Sequence, residues 1–331
     1  MRGVVVGAGG MGRAWGKNLH EEGYLAGWVD IRPGAAAEAS RALEADIAFG
    51  IDLDQVIEKA SPDFLVDASP PEAHREVTTM ALSRGLPVLG EKPMAASIED
   101  GRAMVETSER VGKLYMVSQS RRYDPGFVAY RKLICENLGQ IGILNVDFSI
   151  GAHFGGFRDE MDHVLLLDMA IHTFDQARAL TKADPVSVYA EEFNPSWSWY
   201  RGNASANCLF EMSNGLRFAY RGSWCSEGLP SSWDGDWRAV GEHGTAIWEK
   251  NSVPVAEITC GDDGFHRPTR RIEEPPADFY HGIKGSLKEF IDALENGTVP
   301  QGECHDNLKS LAMVFAAVNS AKRGERVAVH I

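Results

Sequence analysis

Residues 3–12 read Gly-Val-Val-Val-Gly-Ala-Gly-Gly-Met-Gly, and this stretch decides how the first part of the chain folds. Its apolar start, which stops at a glycine, is typical of a buried parallel strand. Gly7, Gly9 and Gly12 have the GxGxxG spacing, and a helical pattern follows from about residue 11 to residue 22. A strand, a glycine-rich turn and a helix in this order predict a phosphate site, because the helix N-terminus offers N–H groups and a positive dipole to an anion.

An acidic residue, Asp30, closes the second predicted strand. Its carboxylate is suited to accept hydrogen bonds from adenosine ribose hydroxyls, which favours NAD as the cofactor. Arg32 could instead pair with a 2′-phosphate, so NADP stays open as the alternative. A glycine turn without any ligand is the other reading. The expected cofactor contacts in this part of the chain are Gly7, Gly9, Gly10, Met11, Gly12, Asp30 and Arg32.

Strands alternate with helices over about the first 120 residues, which predicts a doubly wound parallel sheet and an α/β fold. Ligands of such sheets bind outside the carboxyl ends of the strands. Ser69 and the segment Glu91-Lys92-Pro93 follow predicted strands at these ends. The predicted strands cover residues 3–6, 24–30, 47–49, 64–67, 87–90 and 114–117, and the predicted helices cover 11–22, 52–60, 71–84 and 97–111.

From about residue 141 the pattern changes to longer strands rich in aromatic and β-branched residues. We therefore expect a nucleotide-binding domain over residues 1–120 and a second, α+β domain over 121–331 with a large, mostly antiparallel open sheet. An open sheet of this kind can mediate homo-oligomer contacts. The predicted strands are 141–150, 186–193, 204–212, 216–224, 237–240 and 245–249, and the predicted helices are 164–180, 284–295 and 304–322.

The composition favours a globular protein that acts on a small molecule. Its 331 residues are 44% hydrophobic and 24% charged, which is ordinary globular usage. The net charge of −14 argues against nucleic acid and against an anionic membrane surface as partners. The five cysteines have neither zinc nor disulfide-framework spacing, and the sequence has no long apolar run and no signal-peptide pattern. We expect a cytoplasmic protein with no bound metal.

Lys92 lies after the fifth predicted strand, where the nicotinamide end of a dinucleotide should be bound. A lysine there can hold a substrate hydroxyl and stabilise developing oxyanion charge. Burial beside a cationic ring would also lower its pKa toward values useful for acid–base chemistry. The alternative for Lys92 is an exposed loop lysine, which is the usual situation of this residue type.

Asp168, His172 and Asp175 are spaced i, i+4 and i+7 in an otherwise apolar segment. At 3.6 residues per turn they would share one face of a helix. An imidazole one turn from a carboxylate is suited to act as the general base in alcohol oxidation. Two alternatives stay open: the polar edge of an amphipathic helix, and part of a metal site. The preceding loop, with His153, could cover the active site.

Taken together, these motifs resemble the Gfo/Idh/MocA oxidoreductases, the group of glucose–fructose oxidoreductase and inositol dehydrogenase. The pairing of Glu91-Lys92-Pro93 with the DxxxHxxD pattern of residues 168–175 is the most specific part. The resemblance implies NAD(P), a sugar, cyclitol or related polyol as substrate, and a C-terminal sheet often used for oligomerisation. It rests on residues 7–12, 69–74, 81–85, 91–93, 122–125, 168–175 and 241–245.

The resemblance also implies roles for single residues. Lys92, Asp168 and His172 would form the catalytic group and contact the substrate, with His172 taking the hydroxyl proton. Ser69, His74, Glu91 and Lys92 would line the cofactor cleft. We add Arg122 and His153 as candidates for binding substrate hydroxyls.

Three functions are compatible with these residues. The first is an NAD(P)-dependent sugar or polyol dehydrogenase. The second is a sugar-modifying enzyme that oxidises its substrate transiently, eliminates or cleaves, and then reduces it again. The third is a non-catalytic NAD(P)-binding regulator. The intact set of Lys92, Asp168 and His172 favours an enzyme, because a binding module has no need of it.

Overall fold

The structure, a computed structural model, describes residues 1–262 and 264–331, and its chain divides into two compact units. Unit 1 contains residues 1–120 and 282–311, and unit 2 contains residues 121–281 and 312–331. The expectation of one continuous second domain over 121–331 is therefore wrong, because residues 282–311 belong to unit 1.

The first 120 residues form six strands and five helices in strict alternation. The second helix was not predicted, and the others lie within a few residues of their predicted bounds. The elements are β1 (Gly3–Val6), α1 (Gly10–Glu21), β2 (Leu25–Val29), α2 (Ala35–Ala42), β3 (Ala48–Gly50), α3 (Leu53–Ala60), β4 (Phe64–Asp67), α4 (Pro71–Ser83), β5 (Val88–Gly90), α5 (Ile98–Val111) and β6 (Tyr115–Val117).

The remainder of the chain is richer in strands. Its elements are α6 (Pro125–Asn137), β7 (Ile141–Ser149), a π-helix (Leu165–Ala170), α7 (Ile171–Thr181), β8 (Pro185–Phe193), β9 (Ser205–Met212), β10 (Arg217–Ser223), β11 (Asp236–Gly241), β12 (Gly244–Trp248), β13 (Val255–Thr259), β14 (Thr269–Glu273), α8 (Gly282–Asn296), α9 (Cys304–Arg323) and β15 (Val327–Ala328), with 3₁₀ turns at Ser120–Tyr123 and Gly156–Glu160.

Unit 1 is built on a six-stranded parallel sheet in the order β3-β2-β1-β4-β5-β6. The order reverses between β1 and β4, which in doubly wound sheets is where ligands bind. Val4, Val5, Leu65 and Val66 are completely buried, as expected of strands covered on both faces. The predicted doubly wound α/β fold of this part is confirmed.

Residues 282–311 belong to unit 1 because α8 carries an apolar face that packs on the parallel sheet. Phe290 is fully buried and meets Phe64 of β4 edge-on, with ring centroids 5.6 Å apart. Lys284 also forms a 2.7 Å ion pair with Glu21 at the end of α1. The sequence predicts the helix correctly, but its pattern does not reveal which sheet buries it.

Unit 2 contains a nine-stranded sheet in the order β14-β13-β12-β11-β7-β10-β9-β8-β15. Every neighbouring pair is antiparallel except β7 with β10, so the predicted mostly antiparallel sheet is confirmed. The strands β13, β14 and β15 and the helix α6 were not predicted. The sequence did carry a signal for α6: Asp124 accepts a hydrogen bond from the Phe127 N–H as the cap, and Pro125 occupies the first turn.

Within the described residues, no helix has both the length and the apolar character needed to cross a bilayer.

Candidate active site

In the glycine turn of unit 1, packing requires glycine at Gly7 and Gly12 but not at Gly9 and Gly10. Gly7 has φ of +99°, and a Cβ there would lie 2.4 Å from the Ala68 carbonyl oxygen. A Cβ on Gly12 would lie 2.0 Å from the Gly7 carbonyl oxygen. Any side chain at either position would collide with backbone, so these glycines set the turn and the approach of α1 to the sheet.

Gly9 and Gly10 have no such packing requirement. A Cβ built on either one would meet no atom of the described residues within 4 Å. Gly9 is also the N-cap of α1 and carries no side chain that could accept from the first N–H groups of the helix. The space over this helix end therefore offers unshielded N–H donors and a positive dipole, which suits a pyrophosphate. Met11, beside it, is 46% exposed.

Asp30 follows β2, and its carboxylate is held by two residues, Ala8 and Arg32. Its Oδ2 accepts from the Ala8 N–H at 2.7 Å and from Arg32 Nη2 at 2.9 Å. Its Oδ1 accepts from the N–H of Arg32 at 2.8 Å and from its Nε at 3.0 Å. The hydrogen bonds from Arg32 lower the pKa of Asp30 to about 2, so the carboxylate is ionised at neutral pH.

Four hydrogen bonds fill the acceptor capacity of the Asp30 carboxylate. Ribose hydroxyls can bind it only by displacing a donor, and the Arg32 side chain, 64% exposed, is the one able to move. Both residues thus lie where the sequence predicts the adenosine end of a dinucleotide. The pairing also neutralises the carboxylate charge that would otherwise repel a 2′-phosphate.

The loop after β4 is organised by a buried carboxylate that the sequence reading missed. Asp67 is fully buried, and it accepts from the Ser69 hydroxyl at 2.6 Å and from the Thr78 hydroxyl at 2.9 Å. His74 then joins this loop to the loop after β5: its Nε2 lies 2.8 Å from the Ser69 carbonyl oxygen and its Nδ1 lies 3.1 Å from that of Pro93. Ser69 and His74 are therefore fixed in place by the protein itself.

Glu91 and Lys92 follow β5. The buried Glu91 carboxylate accepts from the Trp15 indole N–H at 2.7 Å and from the Lys92 backbone N–H at 3.1 Å. Burial raises the pKa of Glu91, and the Trp15 hydrogen bond and the Lys92 charge counteract that rise. Glu91 therefore ties α1 to the loop that carries Lys92, whose side chain is half-buried.

In unit 2, the segment that carries the Asp/His pattern begins as a π-helix over Leu165–Ala170 and continues as α7. The i→i+5 hydrogen bonds of a π-turn widen the helix, so the 3.6-residue spacing does not hold through Asp168. Asp168 is 14% exposed and His172 is half-buried, whereas Asp175 is 1% exposed. His172 and Asp175 both lie in α7, three residues apart, so the π-helix alters only the position of Asp168 relative to them; Asp175 differs from the other two in being buried.

Asp168 is bound by an arginine from the preceding loop. Arg158 Nε donates to Asp168 Oδ2 at 2.6 Å, and the guanidinium carbon lies 4.9 Å from the ring centre of Phe154 and 4.7 Å from that of Phe157. The two rings stabilise the cation and limit its movement. The sequence places Arg158 in a loop next to the candidate site, but it gives no sign that this arginine contacts Asp168.

Asp175 has a different partner. Arg122 donates to both of its carboxylate oxygens at 2.7 Å, and Arg122 is itself only 6% exposed. A bidentate pair buried in this way fixes the turn of α7 that follows His172. Arg122 was expected to bind substrate hydroxyls, but this geometry favours a structural role for it.

Arg121, the neighbour of Arg122, contacts the π-helix directly. Its Nη2 lies 3.3 Å from Met169 Sδ, its Nη1 donates to the Trp233 carbonyl, and its Nε lies 3.9 Å from Asp234 Oδ1. Burial lowers the pKa of Arg121, while Asp234 and other carboxylates, Asp168 among them, counteract that effect. Two arginines, Arg121 and Arg158, thus place positive charge near the Asp168 carboxylate.

His153 lies on the same loop as Arg158. Its ring stacks on Trp199 at a centroid distance of 3.7 Å, and its Nε2 is 2.7 Å from Glu227 Oε1. The loop is also held through Arg201, which donates to the Glu160 carbonyl and pairs with Asp162. His153 therefore helps to anchor the loop, and its expected contact with substrate stays a prediction.

Two models of one family match the chain. The oxidoreductase family with an NAD-binding Rossmann fold matches residues 1–119, and the GFO/IDH/MocA C-terminal domain matches residues 127–247. Each match contains candidate site residues described above. The first covers the glycine turn, Asp30 and Lys92, and the second covers Asp168 and His172.

Curated relatives align with the chain over nearly its whole length. The inositol 2-dehydrogenase of Rhizobium meliloti is 26% identical and covers 98% of this chain and 98% of that protein. The D-apiose dehydrogenase of Paraburkholderia graminis is 26% identical and covers 94% of this chain and 88% of that protein.

Solved structures show the same fold. An oxidoreductase from Agrobacterium radiobacter in complex with NAD⁺, L-tartaric acid and magnesium superposes with a TM-score of 0.87 at 22% identity, over 99% of this chain and 98% of that one. The family expected from the sequence motifs is confirmed, and the chain belongs to the Gfo/Idh/MocA family of NAD-binding oxidoreductases.

Proposed function

We propose that this chain is an NAD-dependent dehydrogenase that oxidises a secondary hydroxyl of a sugar, cyclitol or related polyol. The observation that carries the proposal is the pair Asp168 and His172, two polar side chains on a segment whose neighbours Leu165, Leu166 and Met169 are buried. A carboxylate and an imidazole in apolar surroundings suit the recognition and deprotonation of a hydroxyl. The names of the relatives, inositol 2-dehydrogenase and D-apiose dehydrogenase, support the substrate class.

Unit 1 supplies a suitable cofactor site. The open N-terminus of α1 above Gly9 and Gly10 would hold the pyrophosphate, and Asp30 would hold the adenosine ribose once Arg32 moves aside. NAD, when bound, supplies the acceptor for the hydride that leaves the substrate carbon. The NAD preference follows from Asp30, and use of NADP would require Arg32 to leave the carboxylate and bind the 2′-phosphate.

The proposed roles assign three side chains to the substrate, and two of them act on the hydroxyl that is oxidised. His172 accepts the hydroxyl proton as general base. Lys92 donates a hydrogen bond to the same oxygen and stabilises its developing negative charge. Asp168, oriented by Arg158, accepts from a neighbouring hydroxyl and so positions the substrate. These roles rest on the match to the family motifs and on the surroundings of each residue within its own unit.

The test is a panel of sugars, cyclitols and sugar acids assayed with NAD and with NADP, following the absorbance of the reduced cofactor. We expect net NADH formation with at least one polyol, and its loss in His172→Phe. Product formation without reduced cofactor would instead indicate the transient-redox alternative. Tight NAD binding with no turnover of any compound would overturn the proposal and favour a non-catalytic regulator.

We further propose that the chain forms a homo-oligomer through one face of the nine-stranded sheet and acts in the cytoplasm. Tyr189 and Leu209 are paired across β8 and β9, and they are 38% and 40% exposed. Large side chains exposed on a sheet face favour a covering partner. Five free cysteines fit a reducing compartment. Light scattering tests the oligomer, and Leu209→Lys should shift the protein toward monomer.

A further inference from the structure

Three metal-ligating side chains converge at the start of α9, in unit 1. The Cys304 thiol donates to Glu303 Oε1 at 2.9 Å, and His305 Nδ1 lies 2.7 Å from the same oxygen. The distance from Cys304 Sγ to His305 Nδ1 is 3.6 Å. One thiol, one imidazole nitrogen and one carboxylate oxygen thus form a small triangle, and the proposed oxidoreductase chemistry uses none of them.

The triangle is close in size to the ligand set of a single transition-metal ion. Zinc binds thiolate sulfur at about 2.3 Å and imidazole nitrogen or carboxylate oxygen at about 2.0 to 2.2 Å. Three donor atoms that lie within 3.6 Å of one another can all reach one ion at these lengths with little movement. The soft sulfur and the imidazole select zinc or a similar metal over magnesium and calcium, which prefer oxygen ligands alone.

A second, independent feature also indicates a metal site. The other ring nitrogen of His305, Nε2, lies 2.8 Å from Oε1 of Glu109 near the end of α5. Histidines that bind metals typically donate their second N–H to a carboxylate, which fixes the tautomer and the ring orientation. Glu109 therefore leaves Nδ1 directed at Cys304 and Glu303, as a ligand nitrogen has to be.

The carboxylate of Glu303 is fixed as well. Its Oε2 accepts from the His305 backbone N–H at 3.0 Å, which leaves Oε1 as the atom that faces the sulfur and the imidazole. Cys304 is buried, whereas the His305 side chain is 51% exposed, so an ion can enter from the imidazole side. Three protein ligands leave a fourth position of a tetrahedral ion for water.

We propose that Glu303, Cys304 and His305, with Glu109 orienting the imidazole, form a binding site for one Zn²⁺ ion or a similar divalent transition metal. The ion takes the place of two protons, one on Cys304 Sγ and one on His305 Nδ1, which pass to solvent. Two positive charges leave and two arrive, so the charge of the site is unchanged. The site joins the start of α9 to the end of α5.

Sequence reasoning expected no metal, because the five cysteines are widely spaced and form no CxxC pair. The three ligands lie together because they are consecutive at the start of α9. Glu109, which orients the imidazole, lies on α5, 196 positions earlier in the sequence. A hydrogen-bonded cluster that never holds an ion is the competing explanation, and the experiment separates the two.

The experiment uses the full-length protein, first stripped with a chelator and then titrated with Co²⁺ and, in competition, with Zn²⁺. We expect one equivalent of Co²⁺ to produce a thiolate-to-cobalt charge-transfer band that one equivalent of Zn²⁺ removes. Zn²⁺ should also raise the melting temperature of the stripped protein. None of these measurements depends on NAD or on turnover, so the outcome is separate from that of the proposed function.

Cys304→Ser should abolish the charge-transfer band and weaken Zn²⁺ binding at least about tenfold, and Glu109→Gln should weaken it by about 10- to 100-fold while keeping the band. Cys135→Ser, at an exposed cysteine on α6, is the matched control and should change neither. If Cys304→Ser does not fold, His305→Gln provides the same test at a half-exposed position. Failure to take up one equivalent of metal, or the same uptake in Cys304→Ser and the wild type, would overturn the proposal.

Discussion

Arg158 and Asp168 are joined by a hydrogen bond of 2.6 Å from Nε to Oδ2, and Phe154 and Phe157 lie against the same guanidinium. A loop residue is therefore the direct partner of the carboxylate to which the family motif assigns a catalytic role. The bond orients the carboxylate. Any substrate hydroxyl that binds Asp168 meets a carboxylate whose position is set by this arginine.

Replacing Arg158 should reduce activity without unfolding the protein. In Arg158→Gln we expect kcat/KM to fall at least about tenfold, because a misplaced carboxylate costs productive substrate orientation. Arg158→Lys should recover part of the loss, since it restores the charge without the planar hydrogen-bonding group. Steady-state kinetics on the substrate found in the polyol panel provide the measurement.

The control for Arg158 is Arg201→Gln, which removes the arginine that contacts the same loop at Glu160 and Asp162. Its kcat/KM should stay within about threefold of wild type, in keeping with the small energies of exposed ion pairs. Equal losses in both variants would show that Arg158 acts only by holding the loop.

The two kinds of glycine in the turn should respond differently to substitution. Gly9→Val adds a side chain in open space at φ −74°, so the melting temperature should stay close to wild type while NAD binding weakens at least about tenfold. Gly12→Ala places a Cβ 2.0 Å from the Gly7 carbonyl and should lower the melting temperature by several degrees. Calorimetry and cofactor titration separate the two effects, and NAD affinity unchanged in Gly9→Val would contradict the cofactor site.

The buried pair of Arg122 and Asp175 should matter for stability. Removing one partner leaves a buried charge uncompensated, so Arg122→Gln should lower the unfolding free energy by about 3 to 5 kcal/mol. The exposed pair of Arg221 and Asp147 offers the control, because Arg221→Gln should cost at most about 1 kcal/mol. Urea denaturation of both variants gives the comparison, and similar losses would count against the assigned structural role.

Asp30 should make stability depend on pH in acid. Its pKa is lowered from 3.8 to about 2 in the folded chain, so the unfolded state binds more protons in this range and the stabilisation is lost as the pH falls. Between about pH 5 and pH 3 the wild type should lose about 1 kcal/mol that Asp30→Asn does not lose. Unfolding free energies measured without NAD provide the test, and parallel pH profiles would argue against the Arg32 pairing.

Local patterns in the sequence were sufficient for much of the fold. The alternation of apolar runs and helices predicted all six strands of the parallel sheet, because its inner strands are buried on both faces and read as continuous apolar segments. The glycine turn and Asp30 were found for the same reason: each belongs to a short segment whose geometry depends on its own residues. The cap of α6 at Asp124 carried a similar signal that the sequence reading overlooked.

Contacts between distant segments lay beyond such patterns. The 3.6-residue period gives no sign of the π-helix that contains Asp168, and no spacing rule connects Arg158 with Asp168 or Glu109 with His305. The packing of α8 on the parallel sheet of unit 1 also depends on a tertiary contact, between Phe290 and Phe64. These features arise from the packing of whole elements rather than from local preference.

The most direct test of the account is the variant Lys92→Ala, assayed for turnover and, separately, for NAD binding by fluorescence. Loss of the group proposed to hold the substrate oxygen should lower kcat at least about 100-fold, while the dissociation constant for NAD stays within about threefold of wild type. Turnover equal to that of the wild type would contradict the account.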